Sequence, residues 1–317
     1  MTEFDVIAHY FSQNFPKRTD VILGIGDDAA LCTGPNGMQI VVCIDTLVEG
    51  IHFPVKTAPA DIGYKALAVN LSDLAAMGAT PAWMTLALTC PEMNETWLKG
   101  FSQGLLELAK KAQVSLIGGD TTRGPLTITI QITGLVPEGQ ALQRSGAQPG
   151  DGIYVTGTLG DAGLGLASIQ QQLKLPVLIQ EIVESRLNRP TPRLEIGQAL
   201  RGIASSAIDI SDGLIADLGH ILKASGVGAT LQRENLPLSI ALSESLPLAQ
   251  AQDLALSAGD DYELCFTVPP QQDLALQKRL KTGSYTRIGT IKTGNALHCL
   301  DEKGQIFVPQ KKGYQHF

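Results

Sequence analysis

The sequence predicts an α/β (α+β) chain folded as two domains, and three observations lead there. Strand-length apolar or alternating runs recur between longer stretches with helical spacing, in both halves of the chain. At 317 residues the chain has length for about two domains with a core each. Around 144–152, "RSGAQPGDG", composition shifts to glycine, proline and small polar residues, the mark of a junction. The expected domains are 1–140 and 148–317.

A short helix over 2–15 opens the first half. Strands follow at "VILGI" (21–25), "QIVVCID" (39–45), "MTLALTC" (84–90) and "LTITIQITGLV" (126–136). The last alternates Leu126, Ile128, Ile130 and Ile132 with threonine and glutamine, the pattern of a half-buried strand. Helical spacing marks 61–78, with Asp61 as its cap and Gly78 as its stop, and 95–112. In the second half "GIYVTG" reads as a strand, and "GTLGDAGLGLASI" as a glycine-rich entry into a helix. "RPTPR" (189–193) precedes further helix, and "SAIDI" (206–210) and "YELCFTV" (262–268) read as strands. Trp83 and Trp97 are expected to pack in the core, and His9, His220, His298 and His316 to be structural.

A hydrophobic share of 44% against 17% charged residues excludes a disordered chain. The net charge of −7 and the lack of a Lys/Arg block argue against nucleic acid as a partner. Five scattered cysteines, none spaced as CxxC, read as reduced thiols in a cytoplasmic protein rather than a disulfide framework or zinc site. No signal peptide and no membrane-spanning run is expected.

The informative residues are acids. Asp27 and Asp28 follow "VILGIG", Asp45 closes "IVVCID", Asp120 closes "VSLIGGD", Asp209 and Asp212 sit in "AIDISDG", and Asp260 and Asp261 precede "YELCFTV". Asp73 is embedded in the apolar segment "LAVNLSDLAAM", where a charge is costly unless compensated, and Asn70 shares its helical face. Acids gathered at strand ends must stay protonated or recruit cations. With no His/Cys ligand set, the cation expected is hard: Mg²⁺, Mn²⁺ or Ca²⁺. No EF-hand loop is present, and Mg²⁺ held by a few carboxylates leaves room for substrate phosphates, which points to phosphoryl chemistry. P-loop and protein-kinase motifs are absent, and "TGTLGDAGLGL" is no GxGxxG fingerprint. A haloacid-type phosphatase lacks its second carboxylate here. A noncatalytic metal- or nucleotide-binding protein stays open on pattern alone.

Six blocks, "GIGDDAAL", "DTLVEGIHF", "GYKALAVNLSDLAAMGATPAW", "IGGDTTRG", "AIDISDGLIADLGHI" and "GDDYELCFTV", stand in the order found in thiamine-monophosphate kinases. The chain resembles that family from about residue 4 to its end, within the AIR synthetase-like (PurM-like) superfamily that uses ATP without a P-loop. The reactive thiol of selenophosphate synthetases and the terminal cysteine of the hydrogenase-maturation relative are missing; this chain ends "GYQHF".

The resemblance implies transfer of the γ-phosphoryl group of ATP to thiamine monophosphate, in line and without a protein nucleophile, by a homodimer whose first-domain sheets form a barrel. It implies Asp28, Cys43, Asp45, Asp73, Asp120, Asp209 and Asp212 at metal positions for several Mg²⁺ ions, with Asp27 in a supporting role. Gly119, Asp120, Arg144 and Ser211 match ATP contacts; His52, Asp260 and Tyr314 match substrate contacts. Two departures stand out. Cys43 and Ile44 replace the family's hydroxyl residues, leaving one metal position to a backbone carbonyl or water, and Asp260 stands where relatives commonly have Glu.

Overall fold

Two sheets and one helix between them organise the chain. The computed structural model describes residues 21–23, 27–34, 37–92, 94–307 and 313–314. The expected helix over 2–15, Gly24–Gly26 of the first acidic motif, His9 and His316 lie outside them.

The first sheet holds β1 (Val21–Leu23), β2 (Ala30–Thr33), β3 (Met38–Val48), β4 (Thr80–Cys90), β5 (Ser115–Arg123) and β6 (Thr127–Pro137), in the order β1-β2-β3-β6-β4-β5. All neighbours are antiparallel except β4 and β5. The second holds β7 (Gly152–Thr156), β8 (Ser206–Asp209), β9 (Gly228–Gln232), β10 (Leu264–Val268), β11 (Tyr285–Lys292), β12 (Leu297–Leu300) and β13 (Ile306–Phe307). Its order is β13-β12-β9-β11-β7-β10-β8, with β9 and β12 its parallel pair. The helices are α1 (Pro59–Ala76), α2 (Glu95–Ala112), α3 (Asp161–Ile169), α4 (Val177–Asn188), α5 (Leu194–Ala199), α6 (Leu214–Ser225), α7 (Ile240–Ser245), α8 (Leu248–Ser257) and α9 (Asp273–Arg279). Among the described residues, no helix is long and apolar enough to cross a membrane.

β6 behaves as its alternation predicts: Ile128, Ile130 and Ile132 are buried against the helices, while Thr127, Thr129 and Gln131 face outward. α2 occupies the predicted span. Asn94 caps it, accepting the Trp97 N–H at 3.0 Å; Lys110 and Lys111 meet the negative end of the helix dipole, and Gln113 closes it in the left-handed region. β7 and β10 are buried along their whole length, covered on both faces.

α1 is buried on nearly every side, from Ile62 to Ala76, because it packs against β3, β6 and α2 on one hand and α5 and β8 on the other. It therefore belongs to both halves. Small residues make this possible. A Cβ at Gly104 would fall 1.7 Å from the Ala60 carbonyl oxygen, and one at Gly63 would fall 2.1 Å from that of Phe101, so α1 and α2 touch backbone to backbone. Arg189 ties the halves further, reaching Asp61 and Glu107 and lying 5.0 Å over the Tyr64 ring.

Several expectations are corrected. α1 starts at Pro59 behind Ala58, so Asp61 is no cap; it lies in the first turn and pairs with Arg189. Gly78 does follow the helix end, with φ +65°. β3 continues three residues past Asp45 because its ladder with β6 runs on to Val48 and Thr127, so Asp45 lies inside the strand. Asp120 likewise lies inside β5, which runs to Arg123. Trp83 is 37% exposed on β4 rather than packed, whereas Trp97 stacks on Phe101 with centroids 5.1 Å apart.

Gly104→Ala should lower stability by roughly 2 kcal/mol or more, through overpacking at the α1–α2 contact. Gly219, in α6, has open space around it. Gly219→Ala should instead be neutral or stabilise by up to about 1 kcal/mol. Urea unfolding midpoints of the two variants check both signs.

Candidate functional site

Asp73, in the last turn of α1, is the centre of a carboxylate cluster drawn from four places in the chain. Asp45 turns toward it because β3 alternates: Val41, Cys43 and Leu47 face the core, while Ile44 and Thr46 face out. Asp209 ends β8, which stops one residue short of the predicted span 206–210, and Asp28 sits in the turn before β2. One carboxylate oxygen from each of Asp28, Asp73 and Asp209 lies within 4.8 Å of the others.

Charges ~4 Å apart repel by about 4 kcal/mol at an effective dielectric of about 20. The acids respond accordingly. Burial, then the charges of Asp45, Asp209 and Asp28, hold the Asp73 carboxyl well above the usual range. Burial and Asp28 do the same to Asp209. Asp45 is pushed up to about 6 by burial, against a lowering hydrogen bond with Asp73. Such a set fits a hard divalent cation, since all its donors are carboxylate oxygens. The side-chain oxygen of Asn70 is buried on the same helix with no hydrogen-bond partner, a further oxygen donor of the right kind.

Arg144 is the cation the structure itself supplies. Its Nε donates to one Asp28 oxygen at 2.9 Å and its Nη2 to the other at 3.0 Å. Burial opposes its charge, but Asp28 and Asp27 outweigh burial and raise its pKa. Asp27 braces this arrangement, accepting the N–H groups of Asp28 at 3.0 Å and Arg144 at 3.1 Å. Burial and the Asp28 charge push Asp27 up to about 6. Cys43 lies beside the cluster with its thiol donating to the Asn70 carbonyl at 3.6 Å, and burial with Asp73 and Asp45 pushes that thiol up. A thiol that keeps its proton is a poor partner for a hard ion.

The cluster opens into a cleft of about 900 Å³ between the two sheets. Asp45, His52, Asp73, Asp209, Ser211, Asp212, Asp260 and Tyr314 all line it. The His52 Nδ1 accepts the Val48 N–H at 3.0 Å, which fixes the ring on the cleft wall. The Tyr314 N–H donates to the Asp212 carbonyl at 3.0 Å, which holds this residue at the site. Gly119 and Asp120 are not brought there. The register aligns Thr46, Thr129, Ala87 and Asp120 in one row across the first sheet. Asp120 is therefore three strands, about 15 Å, from the strand of Asp45. A side chain at Gly119 would strike the Leu86 carbonyl at 2.0 Å, so that position serves the β4–β5 pairing as well.

Two residues outside the predicted set shape the site. Asp217 accepts the N–H groups of Ser211, Asp212 and Gly213 at 3.0–3.1 Å, folding the loop that follows Asp209 and carries Asp212 into place. Lys65 reaches Asp260 at 2.7 Å. Its signal was available: a charge inside an apolar helix, as at Asp73.

Comparison with known proteins agrees with this geometry. Residues 26–136 match the family described as AIR synthase related protein, N-terminal domain, and residues 148–300 its C-terminal domain. The thiamine-monophosphate kinase of Escherichia coli (strain K12) is 51% identical over 99% of this chain and 98% of its own length. The crystal structure of thiamine-monophosphate kinase from Stenotrophomonas maltophilia K279a superposes with a TM-score of 0.81 at 49% identity, covering 92% of this chain and 93% of that one. AaThiL complexed with AMPPCP and TMP superposes with a TM-score of 0.82 at 29% identity, covering 92% of each chain.

The crowded acids make a pH prediction. Asp27 and Asp45 hold their protons to about pH 6 when folded, against about 4 in an unfolded chain. Across that window the folded state binds more protons, so stability falls as pH rises. Cation-stripped protein should melt at a lower temperature at about pH 7.5 than at about pH 5, and added MgCl₂ should recover more at the higher pH. Thermal scans in EDTA with and without Mg²⁺ measure it.

Proposed function

This chain belongs to the thiamine-monophosphate kinase family of two-domain, AIR synthase-related proteins, and from that premise we propose how its cleft works. It is an ATP-using kinase that phosphorylates thiamine monophosphate to thiamine diphosphate, releasing ADP. The observation carrying the assignment to this cleft is the meeting of a buried carboxylate cluster with His52, Asp260 and Tyr314 in one cavity, in a family with an ATP-analogue and TMP complex. An oxygen of the acceptor phosphate bonds to the γ-phosphorus, the bond from that phosphorus to the bridging oxygen breaks, and ADP leaves with the electron pair. The attacking oxygen is already anionic, so no protein nucleophile and no strong base is needed.

Asp28, Asp45, Asp73 and Asp209 would hold Mg²⁺, with Asp212 nearby on the same cleft. Bound there, Mg²⁺ would supply neutralisation of the phosphate charge of both substrates. Arg144, forked and always charged, is placed to exchange Asp28 for polyphosphate oxygens. Ser211 lines the ATP side, and His52, Asp260 and Tyr314 the acceptor side. The reading carries a cytoplasmic location with it.

We also infer that the active form is a homodimer. Every residue of β5 is exposed, including Leu116 and Ile117, on the open edge of the first sheet, and unguarded edges invite pairing. Gly119 and Asp120 lie on that same strand, out of reach of their own cleft. A two-fold partner would bring the second copy's Asp120 to it.

ADP release should be rapid with thiamine monophosphate and poor with unphosphorylated thiamine; equal rates would overturn the acceptor assignment. Asp73→Asn should lose at least about a hundredfold in turnover while melting no lower than the parent in EDTA. If Asp120 acts across the dimer, mixing inactive Asp73→Asn and Asp120→Asn subunits should regain part of the activity. A monomeric mass by light scattering with full activity would refute the dimer and leave the kinase assignment intact.

A further inference from the structure

The geometry points to Lys65 as a positioning residue for the acceptor: its buried ammonium, delivered from the first half of the chain, holds the Asp260 carboxylate of the second half in the cleft wall. This deepens the reading above and rests on it.

Lys65 lies on α1 at a spacing of four from Val69 and eight from Asp73, so the three share one helical face. Val69 and Asp73 both line the cleft, and so does Asp260. The Lys65 side chain is 2% exposed, which for a lysine is rare without a dedicated partner. That partner is Asp260: Nζ lies 2.7 Å from Oδ1, while 31% of the Asp260 side chain stays open to the cleft. The contact is a charge contact without hydrogen-bond alignment, and Nζ has no hydrogen-bond partner. A buried ammonium held this way costs stability rather than adding to it, so packing alone does not account for it.

The backbone around Asp260 is held with equal firmness. Asp260 and Tyr262 both sit in the left-handed region, at φ 67° and 49°, a conformation that costs a non-glycine residue roughly 1 kcal/mol or more and clusters at functional sites. Their N–H groups donate to the carbonyls of Ser211 and Ile210, each at 2.8 Å. The loop thus hangs from the same segment that carries Asp209 and Asp212. Asp260 Oδ1 is spent on Lys65, while the residue itself lines the cleft.

Two consequences follow for the acceptor. Thiamine monophosphate carries a cationic thiazolium at one end and a phosphate at the other. An oriented carboxylate suits the cationic end, but a cleft rich in acids offers every carboxylate a metal ion instead. By occupying Oδ1, Lys65 keeps Asp260 out of the cation-binding set and reserves it for the organic part of the acceptor. Because the two residues come from opposite halves of the chain, the acceptor pocket forms only when α1 is docked.

The test is calorimetric binding together with steady-state kinetics on the full-length protein. Lys65→Met should weaken thiamine monophosphate binding about tenfold, raise its KM in parallel, and leave the KM for ATP within about twofold. Asp260→Asn should show the same split, and the double variant should bind no more weakly than the weaker single one, since the residues act as a unit. Lys65→Gln, which keeps an N–H donor for Asp260, should recover part of the loss. If Lys65→Met gives no folded protein, Lys65→Gln and Lys65→Arg carry the same comparison. Equal loss for both substrates, additive losses in the double variant, or unchanged acceptor binding would each overturn the proposal. A parent protein that does not bind thiamine monophosphate would overturn the kinase reading itself, which separates the two failures.

Discussion

Like-charge crowding at the junction of α1, β3 and β8 is the constraint that the rest of the molecule answers to. Three carboxylate oxygens within 4.8 Å of one another would drive these elements apart in a chain held by packing alone. The fold resists with backbone contact between α1 and α2, with Arg144 forked onto Asp28, and with Asp217 gathering three N–H groups of the loop that follows Asp209 and bears Asp212. Stability is given up at one place so that charge can be concentrated there, the usual relation between a fold and its working site.

That arrangement also explains why the donors differ in kind. Desolvation and neighbouring charges make Asp73 and Asp209 reluctant to ionise, while Arg144 forks onto Asp28. Carboxyls that keep their protons can accept an incoming cation by releasing them, so cation affinity should itself depend on pH. Cys43 keeps its proton and stays with the Asn70 carbonyl, a polar filler beside the cluster.

Much of this was legible in the sequence where a single element carried the message. The alternation of β6, the amphipathic span of α2 and the apolar setting of Asp73 all express local physics and were found where expected. The acidic motifs pointed to carboxylates gathering at one place, and Asp45, Asp73, Asp209 and Asp212 do line one cleft together with His52, Ser211, Asp260 and Tyr314. What the sequence hid depends on distant partners. β3 extends past Asp45 only because β6 lies beside it, and β9 and β12, of five and four residues, acquire meaning from their pairing with each other and with β11. Asp120 stands in a convincing motif yet lies across the sheet from the other acids, a separation that strand order alone decides. Lys65 shares the apolar helical setting of Asp73, but its partner Asp260 comes from the far half of the chain, and only the fold brings the two together.

α1 carries one last implication. Its residues Ala66 to Leu74 belong to the core under the first sheet, whereas Ala75 and Ala76 pack with Leu200, Ile203 and Phe266 of the second half. The two hydrophobic interiors are therefore stitched by α1, with Tyr262 of the second half also set in the first core. Cutting the chain between its sheets would not release two modules; it would leave the first with a bare helix end and the second with a hole where that end had been. During synthesis the first half emerges with this seam open and can close it only after the residues near 200–266 have followed. A protein built this way is inherited, folded and lost as one piece, although its sequence reads as two.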